Sequence, residues 1–136
     1  MNNIATAKTI YDPSVSGFAM PRTAAFTNFT STGDTKSNFA EYNVSENFDK
    51  GWNFYTNGWK TGNTIYFYAF GCRDVYSSRS TGVGLTAYVS EAGYYWAAGA
   101  LTTVDSRCLN TYFGYVSPKG ELVRSFGCIV RSDKDN

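Results

Sequence analysis

The chain has 136 residues and a formal net charge of +1, which fits one domain and excludes the basic footprint of a nucleic-acid binder. Aromatic residues make up 18%, with 11 Tyr and 10 Phe, and they favour a ring-filled, β-rich core over a helical bundle. Histidine is absent, and with it go Ser-His and Cys-His nucleophile pairs, histidine general bases and histidine metal ligands.

Met1 to Thr9 is polar and lacks the apolar centre of a signal peptide, and no run approaches membrane-spanning length. Residues 1–10 are expected to be a flexible segment. The protein then either leaves its cell without a signal, as a virion component would, or is a domain cut from a longer chain. Order begins at Tyr11-Asp12-Pro13, and Gly17-Phe18-Ala19-Met20-Pro21 reads as a short strand halted by proline. Arg22 to Phe29 suggests one short helix or turn. From Thr30 to Asp49, Ser, Thr, Asn, Asp and Gly predict a loop or irregular hairpin pinned by Phe39, Tyr42 and Phe48. Asn28-Phe29-Thr30 and Asn43-Val44-Ser45 match the glycosylation triplet, and both read as chance.

Lys50 to Thr56 alternates as a strand, followed by the turn dipeptide Asn57-Gly58 and a second turn at Thr61-Gly62-Asn63. Thr64 to Phe70 is β-branched and aromatic throughout, as expected of a central strand covered on both faces. Ser77 to Gly84 is a small-residue loop, with a weak strand at Leu85 to Val89 and another at Tyr94-Tyr95-Trp96. Cys72, Cys108 and Cys128 lack metal-type spacing and read as buried or half-buried free thiols, with a Cys72–Cys128 bridge left open.

From Gly93 to Arg131 side chains of unlike chemistry follow one another without a sustained helical or strand period. Short strands are expected around Cys108 to Phe113, near Leu122 to Arg124 and at Gly127 to Arg131, and residues 132–136 form a polar tail. The rest of this stretch reads as a long irregular connection, and long loops in a compact domain are usually functional. The fold class is α+β, with short strands, one or two small helices and long loops over residues 11–131. Tyr112, Phe113, Tyr115 and Phe126 are expected at the surface, because exposed aromatic rings make good binding anchors.

Five motifs then fall in a familiar order: Tyr11-Asp12-Pro13 with Gly17-Phe18 and Pro21; Gly51-Trp52-Asn53-Phe54-Tyr55; Ile65-Tyr66-Phe67 with Ala69, Gly71 and Arg73; Gly93-Tyr94-Tyr95-Trp96; and Arg124, Gly127, Val130-Arg131. The chain resembles the Fibrobacter-succinogenes-type major paralogous domain of gut Bacteroidetes (Bacteroides and relatives) and their phages. That group is similar in turn to the C-type-lectin-fold variable proteins diversified by retroelements. The pattern departs at Ser14-Val15, where the family has Cys-Pro, at Cys72 and Cys128, where it has aromatic rings, and at Ala97-Ala98, where Ser-Ser is common. The resemblance implies a C-type-lectin-like fold with a display surface between the Tyr-Trp motif and the closing Val-Arg. Carried over by position, its display residues are Leu101, Val104, Asp105, Cys108, Tyr112, Phe113, Tyr115, Lys119, Glu121, Leu122, Val123 and Phe126.

Neither lectin-type calcium motif is present, and Asp74, Asp105 and Glu121 stand isolated, so no metal or other cofactor is expected. The cysteines match no reactive pair, and the composition denies the usual acid–base sets, so catalysis is not expected. Arg73 and Arg131 read as structural, and Trp96 as packing. The function implied is host attachment: a receptor-binding module at the tip of a phage tail fibre, extracellular, contacting a bacterial surface protein or glycan. A fibre implies a homotrimer; neither nucleic acid nor membrane insertion is expected. The alternative is a bacterial surface or pilus-associated structural domain.

Overall fold

The computed structural model describes Ser14 and residues 16–73, 86–100, 104–123 and 126–134. The flexible start, the Tyr11-Asp12-Pro13 motif, the Ser77–Gly84 loop, Leu101 and Arg124 lie outside these. The described chain is mainly β, in small antiparallel sheets. The short helix or turn expected over Arg22 to Phe29 is a single 3-10 turn at Thr27–Phe29. A second, Phe39–Glu41, stands in the segment read as loop, capped by Asn38, whose side chain accepts from the Ala40 N–H at 3.1 Å.

Strand β1 (Phe18–Ala19) is the short strand expected before Pro21. β2 (Gly51–Tyr55) and β3 (Thr64–Tyr68) pair from Gly51↔Tyr68 to Tyr55↔Thr64, with the predicted turn dipeptides in the connection between them. β3 is not the central strand that its composition announces. It belongs to a two-stranded sheet, and Ile65 and Tyr66 are exposed. β-branched and aromatic residues mark extended backbone, but burial depends on what packs above them. β4 (Cys72–Arg73) pairs with β5 (Thr86–Ala87).

The late stretch is where expectation and structure part most. β6 (Ala92–Ala100), β7 (Asp105–Tyr112) and β8 (Tyr115–Val123) form a continuous three-stranded antiparallel sheet where a long irregular connection is expected. Tyr95, Ala97, Leu109 and Val116 turn one face into the core. Cross-strand partners share a face, so Tyr94 with Asn110 and Trp96 with Cys108 lie on the other side. That side is covered as well, since Cys108 is completely buried. With both faces covered by different neighbours, the alternation of apolar and polar residues disappears although the strand period is intact. Register shifts between Trp96 and Ala100, and between Cys108 and Asn110, blur it further. Pro118 sits opposite the second shift on an outer strand, where a missing N–H is tolerated.

β9 (Asp133–Lys134), inside the expected polar tail, pairs with β1 through Phe18↔Lys134 and Ala19↔Asp133. Isolated bridges Gly71↔Gly93 and Tyr95↔Ile129 stitch flanking segments to β6, and Arg73↔Gly127 ties β4 to the segment carrying Ile129.

The core is a nest of rings. Phe29 stacks on Phe54 at 4.0 Å, and Phe67 meets Phe29, Phe54 and Tyr95 edge-on at 5.2, 5.7 and 5.0 Å. Trp52 packs against Tyr42 and Phe48, each at 5.3 Å. Each such ring stabilises the fold by about 1.5–3 kcal/mol through burial, and well-oriented pairs add roughly 0.5–1.5 kcal/mol. Arg131 has the expected structural role: its guanidinium lies 4.6 Å from the Phe67 ring centroid and donates to the Tyr66 carbonyl at 3.1 Å. No helix among the described residues is long and apolar enough to cross a membrane.

Candidate functional site

The candidate display residues fall on the β7–β8 hairpin, and the structure sorts them into two groups. At the turn, Tyr112, Phe113 and Tyr115 form a ring cluster, with Tyr112 at 4.3 Å from Phe113 and 5.6 Å from Tyr115. Phe113 is 61% exposed, the most exposed large apolar side chain among the described residues. Residues 113–114 form a two-residue connection, so register fixes the position of the turn. Trp52 anchors its base from the core, donating its indole N–H to the Tyr112 carbonyl at 3.3 Å.

At the open end, Asp105 pairs with Val123, Ser106 with Leu122 and Arg107 with Glu121, and Val104 is 59% exposed beside them. Asp105 and Tyr112 bound the same strand, so the two groups stand ~23 Å apart at the usual rise per residue. They do not make one patch. Between them Lys119 holds Asp34 at 3.0 Å, and within the open-end group Glu121 holds Arg107 at 3.2 Å. The Asp34 carboxyl is held below its ordinary range by that hydrogen bond and by the Lys119 charge. Exposed pairs of this kind are weak, so a ligand could displace them at little cost.

Two candidates leave the surface. Phe126 is 4% exposed, against its expected place as a display ring. Its N–H donates to the Val123 carbonyl at 3.1 Å, and Gly127 bridges Arg73. Cys108 is completely buried opposite Gly120, where an added Cβ would meet the Cys108 carbonyl oxygen at 3.0 Å. Leu101 lies outside the described residues.

The face carrying Cys108 has its own electrostatics. Burial pushes the Cys108 thiol up to about 12 and also raises the Cys128 thiol, and Cys72 raises both further. The phenol of Tyr94 is raised by burial and then by Tyr115, Cys72 and Tyr88, and burial raises Tyr115 while the Asn110 side chain opposes it. The Cys108 and Cys128 thiols therefore lie in low-dielectric surroundings and remain protonated at neutral pH, and neither is in a disulfide. Such thiols are poor nucleophiles at neutral pH. Among the described residues no group of three or more potential ligands could hold a metal ion.

Trp59 stands outside the candidates read from the sequence, yet 43% of it is exposed. Its place between Asn57-Gly58 and Thr61-Gly62 is a signal that could have found it, because a tryptophan in a turn has little chance of reaching the core. Asn43, in contrast, is fully buried and cannot accept a glycan. No family model matches the chain, and neither a curated protein nor a solved structure matches it.

Proposed function

We propose that this domain is a non-enzymatic receptor-binding module whose β7–β8 hairpin contacts a protein or glycan on a bacterial cell. The observation that carries the reading is the ring cluster at the hairpin turn, with Phe113 outward and its base tied to Trp52. A ring held by strand register and a core hydrogen bond loses little further freedom on binding. The C-type-lectin-like fold, the retroelement origin and the place at the tip of a phage tail fibre are proposed on the order of the sequence motifs. A homotrimeric fibre would present several copies, so an affinity near micromolar per domain would serve.

The test is attachment of the purified domain to a panel of gut Bacteroidetes strains, compared with the double variant Phe113→Ala, Tyr115→Ala. Binding should fall at least tenfold while the melting temperature drops by less than about 4 °C. Undiminished binding by a folded variant would place the contact elsewhere. If both the parent and a variant of the open end (Val104→Ala, Leu122→Ala) bind no strain, the attachment reading itself fails.

A further inference from the structure

A second exposed ring is held in place by a different device. Trp59 lies in the connection between β2 and β3, and the backbone on either side of it is clamped by Asn43. The Asn43 amide nitrogen donates its two hydrogens to the carbonyls of Gly58 and Asn28, both at 2.8 Å, and shares one of them with the Tyr55 carbonyl at 3.3 Å. Its oxygen accepts the Lys60 N–H at 2.7 Å. This last bond secures Lys60 at a φ of 52°, a left-handed conformation unusual for lysine. The Lys60 ammonium lies 5.4 Å from the Trp59 ring centroid and donates to the Ala40 carbonyl at 3.1 Å, which further steadies the indole.

Trp59 forms one wall of an open groove of about 420 Å³. The other lining residues come from the segment that Asn43 grips at Asn28: Thr27, Asn28, Thr30, Ser31 and Thr32. One buried amide thus sets the spacing of both walls. The Thr27 hydroxyl donates to the Ala24 carbonyl at 2.9 Å, so it is oriented and keeps acceptor capacity, while the buried Thr30 hydroxyl, donating to the Asp34 carbonyl at 2.8 Å, fixes the wall behind it. Gly33 completes the lining at a φ of 79°, where an added Cβ would come within 3.3 Å of the Thr27 Cβ.

Among the described residues no charged side chain belongs to the groove lining. Two flanking charges are already engaged, the Lys60 ammonium with the Ala40 carbonyl and the Asp34 carboxylate with Lys119. A phosphate, a sulfate or a charged peptide would therefore find no counter-charge in the lining itself. An exposed indole surrounded by hydroxyls and an amide complements one chemistry well: a ring with an apolar C–H face and a polar equator. We propose that the Trp59 groove binds a neutral pyranose unit of a glycan, as a site separate from the β7–β8 hairpin and independent of its reading. The indole stacks on the sugar's C–H face, while Asn28, Ser31 and the hydroxyls of Thr27 and Thr32 meet its hydroxyl groups.

The experiment is an NMR titration of the ¹⁵N-labelled chain with glucose, galactose, mannose, N-acetylglucosamine and their homo-oligosaccharides. At least one sugar should shift the Trp59 indole N–H and the amides of residues 30–33, leaving the Trp52 and Trp96 indoles in place. A monosaccharide Kd of roughly 1–10 mM is expected, tightening with chain length. Trp59→Ala should weaken binding at least tenfold, and Ser31→Arg, which puts bulk and charge at the rim of an intact fold, should do the same. No shift up to about 50 mM sugar, or shifts that survive both variants, would overturn the proposal. So would cell binding that needs Trp59 but that no sugar competes, which would mark a protein contact.

Discussion

Trp59 and Phe113 are both large rings turned outward from connections between paired strands, yet the chain holds them by opposite means. Phe113 rides a two-residue turn whose geometry follows from the register of β7 and β8. Trp59 sits in a loop spanning residues 56–63, too long for register to place it, and its position comes from four hydrogen bonds to one buried side chain. Strand register is a distributed restraint, so no single side chain is indispensable to it. An amide clamp is concentrated, and removing it leaves three carbonyls and one N–H to find new partners. Two exposed rings of similar appearance should therefore respond very differently to mutation.

The largest difference is expected from Asn43→Ala. Stripping four hydrogen bonds from a buried site should cost about 3–4 kcal/mol in urea unfolding and broaden the Trp59 indole signal. The Phe113 ring signals should keep their chemical shifts as long as the protein stays folded. Equal disturbance of both would mean that the two regions are one cooperative unit.

Alkaline pH should produce the reverse pattern. The Cys108 and Cys128 thiols and the Tyr94 phenol keep their protons in the folded chain to higher pH than in the unfolded one, because burial opposes their charged forms. Their contribution is complete below the ordinary thiol value near 9 and fades as pH rises through the folded-state values, about 12 for Cys108. The urea midpoint should hold to about pH 8.5 and then fall. Signals of Tyr94, Tyr115 and Cys108 should change with that decline, while the Asn43 amide, which has no proton to lose in this range, keeps its hold on the Gly58 and Lys60 backbone. A Cys108→Ala variant should flatten the decline, and an unchanged slope would exclude the thiol as a source.

The smallest effect belongs to Lys119→Ala. It breaks the exposed contact with Asp34, whose pairing exists above the ordinary carboxylate value and fades as pH falls. The melting temperature should move by no more than about 1 °C at pH 7, and less at high salt. A larger loss would make the middle of β8 part of the stabilising frame rather than of the display surface.

What the sequence disclosed, and what it hid, follows the same division. Gly51–Tyr55, Thr64–Tyr68, the Tyr94–Trp96 strand, the free thiols and the structural role of Arg131 were legible, because each rests on local period, turn dipeptides or elementary composition. The β6–β8 sheet was not, because Leu109 and Cys108 are adjacent in sequence and both completely buried, one on each face. Alternation cannot reveal a strand that has two insides. Phe126 carried the same ambiguity: a ring in a polar context is equally consistent with an anchor or with a turn folded inward. Asn43 was the hardest to see, since a fully buried amide and a solvated one look alike in sequence. Only the converging backbones of Asn28, Tyr55, Gly58 and Lys60 distinguish them.

The pairing of β1 with β9 joins Phe18 to Lys134 and Ala19 to Asp133, with one flanking hydrogen bond from the Ser132 hydroxyl to that of Ser14 at 2.7 Å. Tension drawn across these two antiparallel strands would load their contacts one after another, as in opening a zipper, rather than all at once in shear. The fold would yield there first, at low force, and lengthen slightly. The ring-filled interior and the two tethered aromatics would keep their places while this short ladder opened.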